Sequence, residues 1–270
     1  MTARLLPIRT EAAVVSQTPS GSAGWTLRLD AGPEWPGSEP GQFVMLAPGP
    51  VGAAPRTDPL LPRPMAVFRS SGSQLEVLYK VVGRGTALLA AAQPGEKVAM
   101  VGPLGGGFPL PSPGERALLV GGGTGIASLY DLADAAQRTG AGVSVLLGAR
   151  HADDLLARDD FARLGVDLQL ATEDGSAGHA GLVTALLEAA LREPGEARVY
   201  ACGPTPMMRA AADLAAAAGR PCHVSLENRM ACGYGVCLGC AVPRAAGGFD
   251  LVCRDGPVFE ADSLAWDGVP

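Results

Sequence analysis

The sequence lacks the features that would place the protein at a membrane or on nucleic acid. No run of about 18 apolar residues occurs, so no membrane-spanning helix is expected. The first residues do not combine a cationic flank, an apolar core and a small-residue cleavage site, so no signal peptide is expected. A basic stripe is also missing, and the net charge is −6, which argues against a nucleic-acid partner. We therefore expect a cytoplasmic protein that binds neither membranes nor nucleic acid.

Internal repeats are absent too, and the 37 glycines and 23 prolines show no three-residue period, so they indicate many turns and not collagen. At 270 residues the chain exceeds what one typical core needs, which predicts two domains and a small appendage. Six cysteines are present. In a cytoplasmic chain, clustered cysteines are more often metal ligands or redox groups than disulfides.

Residues 1–112 alternate short apolar runs with Gly and Pro breakers, as in "GWTLRLDAG", "GQFVMLAPG" and "QLEVLYKVVG". Short strands at regular spacing predict an antiparallel β-barrel. The stretch "GTALLAAAQPGE" predicts the one helix of this domain, ending at Pro94-Gly95.

Residues 113–220 alternate buried strands with helices, beginning with "RALLVGGGTGIASLYDLADAAQRTG". This alternation predicts a parallel sheet covered by helices on both faces, an α/β nucleotide domain. Residues 221–270 are short and have few apolar residues for a core of their own. We predict that this small C-terminal subdomain depends on something other than hydrophobic burial.

The stretch "ACGYGVCLGC" in this last part holds Cys232, Cys237 and Cys240 at C-x4-C-x2-C spacing, and Cys253 follows twelve residues later. This is the spacing of plant-type [2Fe–2S] sites, where four thiolates must wrap closely round two irons. The glycines between the cysteines permit close backbone approach, so that N–H groups can face the sulfurs. Structural zinc is the alternative, although it usually shows two C-x2-C pairs and only one is present here.

Two stretches of the middle domain are typical of nucleotide binding. A glycine turn between strand and helix lets a pyrophosphate approach the positive end of the helix, although a tight connection would look the same. "ACGP" follows the last parallel strand, at the edge where ligands lie in open α/β sheets, and the alternative is a turn with a buried thiol. Neither stretch separates NAD from NADP. The candidate residues are Gly122, Gly123, Thr124, Gly125, Cys202, Gly203 and Pro204.

Together these pieces resemble a known family. A barrel followed by "VGGGTGIAS" and "ACGPTPMM" resembles the ferredoxin-NADP reductase superfamily, and "SLENRMACGYGVCLGCAV" resembles the electron-transfer subunits of class 1B dihydroorotate dehydrogenases. The resemblance implies FAD in the barrel domain, a [2Fe–2S] cluster on the four cysteines and NAD as substrate. It also implies an FMN-containing catalytic partner that converts dihydroorotate to orotate in pyrimidine biosynthesis, in a heterotetramer. No catalytic residue for dihydroorotate is expected in this chain.

The resemblance further implies which residues hold FAD. In the family an Arg-Pro-x-Ser/Thr motif grips the flavin, and this sequence departs from it at Ala66, which removes the usual hydroxyl. Two further segments match family positions near the adenosine and phosphate parts of FAD. Barrel core for Leu78 and a helix N-cap for Thr86 are the alternatives. The implied residues are Arg63, Pro64, Met65, Ala66, Leu78, Tyr79, Lys80, Gly85 and Thr86.

A flavin between a one-electron cluster and a two-electron nicotinamide implies a path for electrons. We expect electrons to enter from the partner's FMN, pass through the cluster to FAD and reduce NAD. Two alternatives remain at this point: an FAD and [2Fe–2S] reductase subunit of another complex, such as a ferredoxin:NADP, sulfide or sulfite enzyme, and a zinc-stabilised interaction module without redox activity.

Overall fold

The computed structural model describes residues 5–22, 24–49 and 58–270. Six antiparallel strands close into a barrel in the order β1-β2-β5-β4-β3-β6. The seven-residue helix α1 follows β5. The bounds are β1 Ile8–Ser20, β2 Gly24–Asp30, β3 Phe43–Pro48, β4 Arg63–Ser71, β5 Gln74–Lys80, α1 Arg84–Ala90 and β6 Lys97–Leu104.

Strand β1 closes the barrel by pairing with both β2 and β6. The sequence patterning missed this strand, because only a few of its thirteen side chains, such as Ala12 and Val14, lie in the barrel core and most of the rest are polar. The other five barrel strands lie where the apolar runs predicted them. The predicted antiparallel barrel is confirmed.

A second sheet has seven strands in the order β10-β9-β8-β7-β11-β12-β15, and only β15 runs antiparallel to its neighbour. Alanine-rich helices cover it, and their small side chains let α4 and α5 pack closely on the strands. The predicted α/β domain is confirmed. The bounds are β7 Arg116–Gly122, α2 Tyr130–Arg138, β8 Gly142–Ala149, α3 Arg158–Leu164, β9 Asp167–Thr172, β10 His179–Ala180, α4 Val183–Leu191, β11 Ala197–Cys202 and α5 Thr205–Ala217.

The C-terminal segment is built into this sheet. Strands β12 Cys222–Ser225 and β15 Val258–Glu260 extend it, while β13 Ala241–Pro243 and β14 Phe249–Leu251 form a small hairpin beside the cysteine loop. The division of the chain at residues 112 and 220 stays a prediction. The last fifty residues share the core of the middle domain, which explains how so short a segment holds its shape.

Two local details differ from the sequence patterning. The glycine turn leads first into a 3-10 helix, Gly123–Leu129, and only then into α2. The stretch "DDLLARDDFARLG" is helical only from Arg158, because Leu155 and Ala157 leave the helical conformation. Across the part of the chain that the structure describes, no helix is both long and apolar enough to span a bilayer.

Candidate functional site

A cavity of about 360 Å³ lies between the barrel and the second sheet. Its barrel wall includes eight of the nine residues predicted to hold FAD: Arg63, Pro64, Met65, Ala66, Leu78, Tyr79, Lys80 and Thr86. The opposite wall comes from the glycine turn and from the segment after β12, including Glu227 and Met230. Residues far apart in sequence therefore meet in one cavity, because β4 and β5 face the carboxyl edge of the sheet. We call it the barrel cavity.

The ninth residue, Gly85, lies directly beneath Arg63. A Cβ atom at Gly85 would be 2.2 Å from Arg63 Nε, so the guanidinium lies across the start of α1 only because position 85 has no side chain. Arg63 also donates to the Leu61 carbonyl. Glycine at 85 thus positions the one cation that β4 supplies to the barrel cavity.

Thr86 is used locally. Its hydroxyl accepts hydrogen bonds from the backbone N–H groups of Val82 and Gly83, at 3.0 and 3.2 Å, and donates to the Gly83 carbonyl at 2.9 Å. These contacts satisfy free backbone groups at the start of α1, as in a helix cap. The hydroxyl lines the cavity but already has protein partners.

Tyr79 and Lys80 contribute in different ways. Tyr79 is buried and its hydroxyl donates to Gln17 Oε1 at 3.3 Å, and burial raises the pKa of this phenol. The Lys80 ammonium pairs with Asp154 at 2.9 Å, across the boundary between barrel and α/β domain. Ser22 of the barrel donates to the same carboxylate. The sequence predicted Lys80 as a site residue, and the structure places it on the cavity wall with its charge neutralised from the other domain.

A second cavity, also about 360 Å³, lies at the carboxyl edge of the parallel sheet. We call it the nucleotide cavity. Six of the seven residues predicted for nucleotide binding line it, together with Thr205, Met208 and Pro270. The glycines permit close packing: a Cβ at Gly125 would be 2.6 Å from the carbonyl carbon of Cys202, and one at Gly122 would be 2.8 Å from Met207 Sδ. The six residues are Gly122, Gly123, Thr124, Gly125, Gly203 and Pro204.

Cys202 is the predicted nucleotide residue whose side chain the structure does not bring to the cavity wall. The side chain is fully buried, its Sγ lies 3.3 Å from the Ser225 carbonyl and 3.6 Å from Ser128 Oγ, and burial raises the pKa of the thiol to about 12. The geometry fits the alternative given above, a strand-end turn with a buried thiol. Cys202 stays neutral and ties β11 to β12.

Glu227 and Thr124 line both cavities, so they form the boundary between them. The Glu227 carboxylate is open to the cavities yet surrounded by protein, and desolvation raises its pKa. Sequence reasoning missed this residue. The only signal was the position of "SLEN" directly after a strand of the sheet, at the edge where ligands lie.

The four predicted cysteine ligands come together in two pairs. Cys240 Sγ and Cys253 Sγ lie 3.3 Å apart, and the thiols of Cys232 and Cys237 are hydrogen-bonded to each other. All are free thiols, and Cys232 influences Cys253 electrostatically, so the two pairs are neighbours. Among the described residues no three metal-ligating side chains converge on a single point.

Backbone N–H groups face these sulfurs. The Gly235 N–H donates to Cys253 Sγ at 3.1 Å, from a backbone φ of +85° that favours glycine. Desolvation raises the pKa of Cys232, but N–H donors from Cys237, Tyr234 and Val236 together outweigh it and bring that pKa down to about 6. The pKa of Cys253 rises to about 12, through burial first and then through the adjacent Cys240. The loop therefore favours the thiolate form of Cys232 and the neutral thiol form of Cys253.

The cysteine loop lies against the barrel cavity and also faces solvent. A Cβ at Gly233 would be 2.5 Å from Met45 Cγ in the barrel, and Met230, two residues before Cys232, lines the barrel cavity. Two residues of chain span at most about 7 Å. On the outer side three apolar side chains are exposed, Tyr234 by 57%, Val236 by 73% and Leu238 by 62%. We call these three residues the loop patch.

Comparison with known proteins identifies the family. Residues 227–265 match the iron–sulfur cluster binding domain of dihydroorotate dehydrogenase B, and residues 119–213 match the oxidoreductase NAD-binding domain. The dihydroorotate dehydrogenase B (NAD(+)) electron transfer subunit of Bacillus caldolyticus is 43% identical over 232 residues, 84% of this chain and 86% of that protein. The chain belongs to the family of dihydroorotate dehydrogenase B electron transfer subunits. The Listeria monocytogenes member is 35% identical over 95% of this chain and 99% of that protein.

Solved structures agree. A structure of the NADH-dependent reduced ferredoxin-NADP oxidoreductase, studied for flavin-based electron bifurcation, matches with a TM-score of 0.83 and 30% identity, covering 100% of this chain and 93% of that one. The predicted family, its fold and the predicted oxidoreductase electron-transfer class are therefore confirmed. The family match to an iron–sulfur domain also decides between the two metal alternatives in favour of the cluster.

Proposed function

We propose that this chain carries electrons between a catalytic dihydroorotate dehydrogenase subunit and NAD, through a [2Fe–2S] cluster and FAD. The observation that carries the proposal is the order of the three sites. The paired thiols lie next to the barrel cavity, and the barrel cavity shares Thr124 and Glu227 with the nucleotide cavity. An electron therefore has a short route through adjoining sites within one chain.

We assign the cluster to Cys232, Cys237, Cys240 and Cys253. Two neighbouring thiol pairs suit a core of two irons, which takes four cysteine ligands. The N–H groups that face the sulfurs stabilise negative charge on the ligands, and such hydrogen bonds tune the reduction potential of a cluster.

We assign FAD to the barrel cavity. When bound, FAD supplies the exchange between single electrons and hydride. Arg63 offers a cation with a planar set of donors, which suits the pyrophosphate. Met65, Ala66 and Leu78 present an apolar wall that excludes water, and with alanine at 66 any hydrogen bond there must come from the backbone. Gly85 and Thr86 shape the start of α1 beneath Arg63, and Pro64, Tyr79 and Lys80 complete the wall.

We assign the nicotinamide nucleotide to the nucleotide cavity. The backbone of Gly122, Gly123 and Gly125 lets a pyrophosphate approach closely, and Gly203 and Pro204 place the start of α5 on the other side. The role of Cys202 is to hold β11 against β12. Glu227 and Thr124 lie where the nicotinamide would meet the flavin.

We propose that the loop patch docks the catalytic subunit. The partner would be an FMN-containing subunit that oxidises dihydroorotate to orotate, in a heterotetramer of two subunits of each kind. Exposed apolar side chains around an electron-transfer loop suit a buried interface, in which water is removed between the redox centres. Four reduced thiols at cluster spacing also favour the cytoplasm as the location.

The test is reconstitution. The chain is produced anaerobically together with an FMN-containing dihydroorotate dehydrogenase catalytic subunit from the same source, and NAD reduction by dihydroorotate is followed at 340 nm. We expect turnover in the complex and none with either subunit alone. A complex with full flavin, iron and sulfide content that fails to reduce NAD would refute the proposal.

The structural match to the ferredoxin-NADP oxidoreductase favours a second candidate, a reductase subunit of another complex. In that case the isolated chain would reduce an artificial acceptor with NADH, but no dihydroorotate-oxidising subunit would co-purify with it. The protein that co-purifies with the chain therefore distinguishes the two functions.

A further inference from the structure

Strand β3 of the barrel contributes side chains to two different cores. Val44 and Leu46 belong to the core inside the barrel. Successive side chains of a strand point to opposite faces. The alternate residues, Phe43 and Met45, belong instead to the core that also contains Cys253. The outer face of β3 therefore shares a core with the segment that carries the cysteines.

Met45 packs on the cysteine loop, residues 232–240, from the barrel side. A Cβ atom at Gly233 would lie 2.5 Å from Met45 Cγ and 2.8 Å from Met45 Sδ, so the backbone next to Cys232 lies directly on this side chain. Met45 is only 2% exposed. Because protein interiors are close-packed, a buried side chain of this size fixes how near the loop can approach β3.

The same residue is one strand away from the wall of the barrel cavity. Met45 is paired with Pro64 in the antiparallel ladder of β3 and β4, and Pro64 lines that cavity. Neighbouring strands lie only about 4.8 Å apart. Met45 therefore has the cysteine loop on one side and the cavity assigned to FAD on the other.

We propose that Met45 is a positioning residue for electron exchange between the cluster and FAD, because it holds the cysteine loop at a fixed separation from the barrel cavity. This inference rests on the proposed function, which puts the cluster on the loop and FAD in the cavity. Met45 acts through the backbone at Gly233, next to the ligand Cys232. Shortening the side chain leaves a void between β3 and the loop, and the loop can relax into it.

The test compares Met45→Ala with the matched control Met100→Ala. Met100 is 1% exposed in the core inside the barrel and lies on neither cavity wall as the structure describes them, so the control removes the same volume away from the loop. A third variant, Met45→Leu, nearly keeps the side-chain volume and tests rescue.

Each loaded protein is mixed anaerobically with NADH. Flavin reduction is followed by stopped-flow absorption, and cluster reduction by electron paramagnetic resonance of samples frozen at successive times. A second measurement records the release of iron from each oxidised protein to a chelator, which needs no turnover.

We expect flavin reduction by NADH to stay within about twofold of the unaltered protein in all three variants, because none of the changes lies on the nucleotide cavity. A misplacement of about 1 Å can cost roughly 100-fold in a step that depends on position. We therefore expect cluster reduction to slow by about tenfold or more in Met45→Ala, to be unchanged in Met100→Ala and to recover in Met45→Leu. Iron release should be faster in Met45→Ala than in Met100→Ala.

Cluster reduction as fast in Met45→Ala as in Met100→Ala would overturn the role of Met45 and leave the proposed function standing. Flavin reduction slowed as much as cluster reduction would overturn it as well, since the defect would then precede the cluster. If Met45→Ala does not fold, Met45→Val carries the same comparison, because valine shortens the side chain and suits a strand. An unaltered protein whose cluster NADH does not reduce would overturn both the role of Met45 and the proposed function.

Discussion

The glycine turn between the two cavities gives a sharp prediction for Gly125→Ala. A Cβ atom at this position would lie 2.6 Å from the Cys202 carbonyl carbon and from the Gly203 nitrogen, and 2.7 Å from the Cys202 carbonyl oxygen. These are backbone atoms at the end of β11, so no side-chain rotation relieves the clash. The φ angle of Gly125 is not in the left-handed region, so the cost is steric and not conformational.

Overpacking of this kind costs typically about 1–3 kcal/mol. In a chain of this size each kcal/mol lowers the melting temperature by about 2–4 °C. We therefore expect Gly125→Ala to lower the melting temperature by roughly 2–12 °C. Because relief of the clash must move the glycine turn away from Gly203, which lines the same cavity, NAD binding should weaken as well.

The assay is thermal unfolding of the loaded protein together with calorimetric titration of NAD into the oxidised protein, which NAD cannot reduce. The matched control is Gly142→Ala at the start of β8, where a Cβ would have its nearest neighbour 3.8 Å away, in the flexible Arg116 side chain. This control should change neither quantity. Gly125→Ala with the melting temperature and NAD affinity of the control would refute the close packing of the turn on β11.

Three further predictions concern the cluster, the helix layer and the interface. Cys253→Ser should remove the iron–sulfur absorption while flavin content stays normal, because Cys253 lies among the thiols and outside the barrel-cavity wall; an unchanged iron content would contradict its role. Burial first, and then the charge of Asp134, raise the pKa of Asp131 in the folded protein to about 7. The unfolded chain ionises this carboxyl near pH 4, so the stability of the fold decreases as the pH rises from about 4 towards 7. Asp131→Asn should therefore raise the melting temperature at pH 8 and not at pH 4, and an equal shift at both would contradict this. Val236→Asp in the loop patch should weaken binding of the catalytic subunit by tenfold or more, about 1.4 kcal/mol, in sedimentation measurements, while the iron content stays unchanged. The control Leu110→Asp, at an exposed leucine elsewhere, should leave binding of the catalytic subunit unchanged.

The sequence predicted best the parts that depend on local patterns. Five of the six barrel strands and the alternation of the parallel sheet follow from apolar runs between glycine and proline breakers. Strand β1 did not, since only a few of its side chains reach the barrel core. The cysteine spacing predicted four ligands, and the structure brings their thiols together as two neighbouring pairs. Their assignment to one cluster stays a prediction.

Features that depend on the contact between the two domains could not be predicted from the sequence. The pairing of Lys80 with Asp154 joins residues 74 positions apart, and nothing local marks either of them. Glu227 forms the boundary between the cavities only because β12 joins the sheet beside β11. For Cys202 the sequence suggested a contact that the side chain does not make. Its place in "ACGP" suggested a ligand contact, but successive side chains of a strand point to opposite faces, and this thiol faces the core.

Anaerobic analysis of iron and acid-labile sulfide, followed by electron paramagnetic resonance of the NADH-reduced protein, shows whether the four cysteines hold a cluster that exchanges electrons with the flavin. We expect about two irons and two sulfides per chain and the signal of a reduced [2Fe–2S] centre when NADH is added. Stoichiometric zinc in place of iron, or a flavin that NADH reduces while the iron centre stays oxidised, would contradict it.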